Sequence, residues 1–213
     1  MTAAEFPSYD APRAVRDRLG SGVDARAIEQ AVVALLHALG EDPARPGLVD
    51  TPGRCARAWA EFTAGMREDP ARALERTFPA EGAGDQIIVQ RRIAFYSLCE
   101  HHLVPFHGQA AIAYLPSTSE PRLVGLSKLA RLVRGYAARL QVQERLTALV
   151  ADALVTKLDA QGVAVLIEAE HLCLGMRGVR APGSLTTTSA LRGCFRDDAR
   201  ARAEVMGLLR GAP

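Results

Sequence analysis

The feature that most narrows the fold is a change of period at "FPAEGAGD", residues 78–85. Upstream, apolar residues recur every three or four positions: Ile28, Val32, Leu35 and Leu39, then Cys55, Trp59, Phe62 and Met66. Downstream they tend to alternate, in "QIIVQRRIAFYSL", "QAAIAYLP" and "VAVLIEAEHLCLGM", which are rich in Val, Ile and aromatics. The first spacing belongs to amphipathic helices and the second to half-buried strands. A switch between them across a Gly- and Pro-containing connection marks the boundary between a helical N-terminal part and a sheet.

Punctuation around these runs fixes the elements. Asp24 is placed to cap the first helix and Gly40 to stop it, with His37 inside as an ordinary helix histidine. "DTPGR" opens the second helix, where Thr51 can cap and Pro52 suits the first turn, and Cys55 falls on the core side. "TSEPR" reads as a turn after the second strand. Between the second and third strands the stretch from Gly125 to Gly162 carries Leu129, Leu132, Val133, Tyr136 and Leu140, then Leu146, Leu149 or Val150, and Leu154, which fits two helices broken near "LQVQ". "RDDARARAEVMGLLR" reads as a final capped helix. The expected organisation is a disordered tail over 1–23, a helical extension over 24–80 and an α+β domain over 81–213, an antiparallel sheet with a helix pair on one face.

Composition excludes several classes. With 26 basic against 24 acidic residues the formal charge is +2, too balanced for a surface devoted to nucleic acid or an anionic membrane. No apolar run reaches the roughly 18 residues of a membrane span, and the first residues lack the apolar core of a signal peptide, so a cytoplasmic location is expected. Cys55, Cys99, Cys173 and Cys194 are too irregularly spaced for a secreted disulfide framework.

Chemistry concentrates in "CEHH", residues 99–102. A thiolate and an imidazole are good zinc ligands, and Cys99 and His102, three apart, can converge on one ion from a tight loop. "EHLC" places His171 and Cys173 two apart in a strand pattern, on the face that also carries Val163, Val165 and Ile167, so Cys173 can supply a third ligand. Three protein ligands leave a position for water, as in catalytic rather than structural zinc sites. Two other readings fit the same thiols: Cys194 completing a closed structural site, or burial without metal. His101 and His171, each beside a candidate ligand, are available for general acid–base work near neutral pH.

Basic residues recur where helix dipoles disfavour them. In "GLSKLARL", Ser127 reads as an N-cap with Lys128 and Arg131 following, and Arg54 repeats the pattern after "TP". An anion such as phosphate would relieve the conflict, although solvated surface charge explains each motif alone. Arg177 and Arg180 follow Cys173, and several separate basic groups suggest a polyphosphate. Gln143 and Glu144 open a helix, where a carboxylate can cap or can accept two N–H bonds from a planar heterocycle such as guanine.

Taken together, "DTPGR", "FYSLCEHHLVPFHG", "GLSKLAR", "RLQVQERLT" and "EHLCLGMRGV" closely resemble GTP cyclohydrolase I, in the same order and at similar spacings over roughly residues 25–210. The resemblance implies Zn2+ held by Cys99, His102 and Cys173, acid–base roles for His101 and His171, guanine held by Gln143 and Glu144, and ribose and triphosphate held by Ser127, Lys128, Arg131, Arg177 and Arg54. It implies the tunnelling fold, a homodecamer with sites between subunits, and conversion of GTP and water to formate and 7,8-dihydroneopterin triphosphate, the first step of pterin and folate-type biosynthesis. The "STSEPR" turn is slightly longer than is usual in the family, "GAGDQIIVQRR" lacks acidic residues often found there, and Cys194 is unusual. Two rival readings are a same-fold, nitrile-reductase-like enzyme with a nucleophilic cysteine, and an inactive nucleotide-binding assembly protein. Retention of both His101 and His171 argues against the second.

Overall fold

A computed structural model describes residues 22–82 and 84–211. The expected tail therefore lies, over 1–21, outside the described residues. The chain divides into two compact units, one running to Arg67 and the other starting at Glu68. This boundary precedes the one expected near residue 80, because Ala71 and Leu74, in a 3-10 turn over Pro70–Leu74, are buried in the core of the sheet unit.

The first unit pairs helix α1 (Ala25–Ala38) with helix α2 (Thr51–Phe62). Asp24 caps α1 as expected, accepting from the Ala27 N–H at 3.0 Å, and Gly40 takes the left-handed conformation beyond its end. In α2 the N-cap is Asp50 rather than Thr51, which is the first helical residue. The helices meet through the small side chains Ala25, Ala56 and Ala60. That contact rotates the expected stripe outward: Leu35 is 57% and Leu39 70% exposed, and Cys55 and Trp59 are half-buried.

The second unit is built on a five-stranded sheet in the order β5-β2-β3-β6-β7, comprising β2 (Ile88–Cys99), β3 (Pro105–Leu115), β5 (Leu140–Gln141), β6 (Gly162–His171) and β7 (Leu185–Gly193). All pairings are antiparallel except β2 with β5, which is parallel through Leu98↔Leu140 and Cys99↔Gln141. The expected break near "LQVQ" is this two-residue strand. A separate two-stranded ribbon joins β1 (Thr77–Pro79) to β4 (Arg122–Val124). At Gly108 a Cβ would run into the Glu168 carbonyl and the Ala169 Cα, so only glycine allows β3 and β6 to lie this close.

Helices α3 (Leu126–Ala137) and α4 (Gln143–Leu158) cover one face of the sheet. Leu129, Leu132, Leu146 and Leu154 interlock there with Phe95, Ile112, Val165 and Ile167, all buried. Burial of such side chains contributes on the order of 1.5–3 kcal/mol each before entropy is charged against it. This is the α+β tunnelling-fold arrangement expected from the sequence, with one addition. The final helix α7 (Ala199–Arg210), reached from β7 through the short helix α6 (Cys194–Asp197), packs Val205 and Leu209 on the opposite face against Ala111, Ala113 and Leu166. Among the described residues no helix is long and apolar enough to cross a membrane.

Candidate active site

β2 delivers Cys99 to a five-residue loop, residues 100–104, that leads into β3. The loop is closed by Cys99 N–H donating to Val104 O at 3.0 Å and by Leu103 N–H donating to Cys99 O at 2.8 Å. Leu103 sits in the left-handed region at φ 55°, a conformation that costs a non-glycine residue on the order of 1–2 kcal/mol. The tight turn brings His102 back over Cys99, with Nδ1 3.9 Å from Sγ. Cys173 arrives differently from expectation: β6 ends at His171, and Cys173 lies in the one-turn helix α5 (Leu172–Gly175) instead of sharing a strand face with it. The turn carries Cys173 to the other two donors, and the ligand atoms of Cys99, His102 and Cys173 all lie within 4.8 Å of one another.

Both thiols are buried and free of disulfide bonds. Burial pushes the Cys173 thiol up, the adjacent Cys99 thiol pushes the same way, and Arg177 opposes them. Two sulfurs crowded out of water become thiolates together only beside a cation, so the donor set fits zinc. Cys194 sits at the far end of β6, where a Cβ on Gly162 would lie 2.5 Å from its Sγ, and it takes no part in the cluster. The closed four-ligand reading therefore lacks its fourth ligand.

A cleft of about 270 Å³ opens on this cluster and is lined also by His101, Gln143, Glu144, His171, Leu174 and Thr186. His171 stacks face to face on the buried Phe106 ring, centroids 4.7 Å apart and planes 3° from parallel. Its burial lowers its pKa below the ordinary imidazole value, opposed by the Glu144 carboxylate. Glu144 is exposed in the first turn of α4, and Gln143 beside it is 1% exposed. The carboxylate of "CEHH" has its own role: Glu100 pairs with Arg145, which also donates to Gln141 Oε1 at 2.9 Å, and Glu100 N–H donates to Gln141 O at 3.0 Å. Hydrogen bonding to Arg145 holds the Glu100 carboxyl below its usual range. These bonds brace the ligand loop against the start of α4. A larger cavity of about 370 Å³ on the opposite face is lined by Arg91, Arg92, Glu168 and Arg210 and contains no thiol or imidazole.

Residues 28–210 match the sequence profile described as GTP cyclohydrolase I. The chain belongs to that family. Similar curated relatives are the GTP cyclohydrolase 1 of Corynebacterium glutamicum, 59% identical over 85% of this chain and 91% of that one, and that of Mycobacterium leprae, 54% identical over 87% and 89%. The GTP cyclohydrolase 1 of Thermobifida fusca is 53% identical over 90% and 91%. Among solved structures, the apo form of the archaeosine synthase QueF-Like aligns with a TM-score of 0.41 at 13% identity, covering 50% of this chain and 93% of that one.

The other residues singled out in this member of the GTP cyclohydrolase I family fall into three places. Arg177 is exposed just beyond α5, near enough to Cys173 to act on its thiol. Ser127, Lys128 and Arg131 lie in the first turns of α3, whose opposite end leads to β5 and the cleft; at about 1.5 Å per residue its 12 residues separate the two by about 18 Å. Ser127 is the second helical residue and not the cap, which is Gly125, and the first turn has neither a capping side chain nor an acid. Arg54 belongs to the first unit, where Asp50 pairs with it at 2.9 Å and already offsets the dipole conflict. Sequence reading missed Phe106, Arg145, Thr147, Thr186 and Thr188 as supports of the site. The i, i+4 spacings Gln141–Arg145 and Gln143–Thr147 were the available signal.

Proposed function

We propose that the protein is a zinc-dependent GTP cyclohydrolase I, taking GTP and water to formate and 7,8-dihydroneopterin triphosphate, a step that opens pterin and folate-type biosynthesis. The observation that carries this reading is the convergence of Cys99, His102 and Cys173 in one cleft with two imidazoles and a carboxylate. Bound zinc would supply Lewis acidity and bring the deprotonation of water towards neutral pH. Glu144 accepts from guanine N1–H and the 2-amino group, which orients C8 towards the metal cluster. His101 and His171 hold and return the protons needed at N7, at the departing formate and at the ribose ring oxygen as it opens for the Amadori rearrangement. Arg177 approaches the triphosphate from the cleft side.

Ser127, Lys128 and Arg131 do not line the cleft, which gathers beyond the other end of α3. We infer that a second copy brings its α3 start to this cleft, in an oligomer that the family resemblance makes a decamer. Arg54 remains assigned to the substrate by that resemblance alone. Reduced thiols at the centre of the site suit a cytoplasmic enzyme.

The test is metal content of the purified protein together with formate release from GTP. About one zinc per chain and stoichiometric formate are expected. A zinc-loaded protein that releases no formate from GTP overturns the reading.

A further inference from the structure

Gln143 occupies an unusual position for a residue expected to touch guanine. Its carboxamide is almost wholly buried, and each of its groups already has a partner in the chain. The Nε2 donates to Ile167 O at 3.1 Å, to Thr186 O at 2.9 Å and to Thr188 Oγ1 at 3.0 Å. The Oε1 faces His171 Nε2 at 2.8 Å.

The polarity of this network is determined by its ends. Two of the amide's partners are backbone carbonyls, which only accept, so the nitrogen end of the carboxamide must face them. The hydroxyls agree with this direction: Thr147 donates its one proton to Gln143 O at 2.7 Å, so across the 2.7 Å contact between Thr188 and Thr147 it is Thr188 that donates. Thr188 Oγ1 is then left to accept from Gln143. With the amide oriented, Oε1 can only accept, and the proton between it and His171 must reside on His171 Nε2. Stacking on Phe106 fixes the plane of the ring, and Phe106 is itself held edge-on by Phe95, centroids 6.0 Å apart.

We propose that Gln143 is a positioning residue that holds His171 in the Nε2–H tautomer and so leaves Nδ1 as the nitrogen through which this histidine serves the reaction, the proposed cyclohydrolase activity being assumed. The backbone carbonyls of Ile167 and Thr186 act as the reference that sets the tautomer. Glu144 then reads the purine without help from the neighbouring side chain, and the "QE" pair divides into one residue for the histidine and one for the base. Oriented in this way, a histidine keeps the same nitrogen free in every turnover. An unrestrained neutral imidazole would divide between two tautomers and be competent in only one.

Magic-angle-spinning 15N spectra of the histidine-labelled zinc holoprotein test this, with the His171 signals assigned by their loss in His171→Gln. The expected result is a protonated Nε2 and an unprotonated Nδ1 in neutral His171; protonation at Nδ1 overturns the proposal outright. In Gln143→Leu the His171 signal should become a mixture of tautomers, and kcat with GTP should fall about 10- to 100-fold, the range typical for loss of such outer hydrogen bonds, while KM changes less than about threefold and zinc content is unchanged. Gln143→Glu retains an acceptor for Nε2 and should keep the Nε2–H tautomer and recover part of kcat. A Gln143→Leu enzyme with unchanged kcat and raised KM would make the side chain a substrate contact and overturn the proposal. The tautomer of the parent protein is read without turnover, so it stands if GTP proves not to be the substrate, and formate release separates the two failures.

Discussion

Cys99 and Cys173 are buried together in a crowded place that a bound cation would explain, whereas Cys194 is half-buried against Gly162 at the other end of β6. Cys194→Ser should therefore retain zinc and activity and Cys173→Ser should lose both, measured by metal analysis and formate release. Loss of zinc in Cys194→Ser would mean that the cluster is completed by a ligand the fold places at the wrong end of β6. Glu144 gives a second test. If its carboxylate accepts from both N1–H and the 2-amino group, ITP, which lacks that amino group, leaves one oxygen without a partner. Such a loss costs about 1–3 kcal/mol, or roughly 5- to 150-fold in kcat/KM relative to GTP. Equal efficiency with ITP and GTP would remove Glu144 from base recognition.

Helix α3 begins with an uncapped first turn that contains Lys128 and no acid, so its N–H groups and its cations face the same way. Alanine at Lys128 or Arg131 should weaken binding of GTP roughly tenfold to a hundredfold and leave guanosine nearly unaffected, since charged hydrogen bonds contribute about 1.5–3 kcal/mol each and guanosine makes none of them. Calorimetric titration of zinc-free protein with both ligands checks this, and equal losses for the two would make the cluster an ordinary solvated face. The same helix shows how far the sequence could be read. Leu129, Leu132, Val133 and Tyr136 announced its buried side because a 3.6-residue period survives in any packed amphipathic helix. Strand β7 was not announced: "LTTTSALRG" is an edge strand whose threonines and serine face water or the carboxamide of Gln143, so it has little of the apolar alternation that marks a strand. The convergence of Cys99, His102 and Cys173 was legible from residue type and spacing, although the turn that carries Cys173 reads in the sequence as more strand. The supports of the site escaped notice because Phe106, Thr147 and Thr188 act through ring stacking and hydroxyl direction, which only three-dimensional neighbours reveal.

Across the whole molecule the sheet ends at β7 on one side and, beyond the two residues of β5, at the open flank of β2 on the other, and such edges suit association with further copies. The proposed role of the α3 start in holding triphosphate would ask for the same thing, since Ser127, Lys128 and Arg131 do not line the cleft. The short parallel pairing of Cys99 with Gln141 ties a residue of the candidate metal cluster to the residue two places before Gln143. The chain's tolerance of length change is therefore uneven. One residue added within 118–120, an exposed turn, should leave formate release close to that of the parent. One residue added between Ala138 and Val142 should abolish it, because the pairing that aligns the Cys99 loop with the start of α4 would slip by a register. Insertions during the protein's descent can accumulate on one side of α3 and are barred on the other.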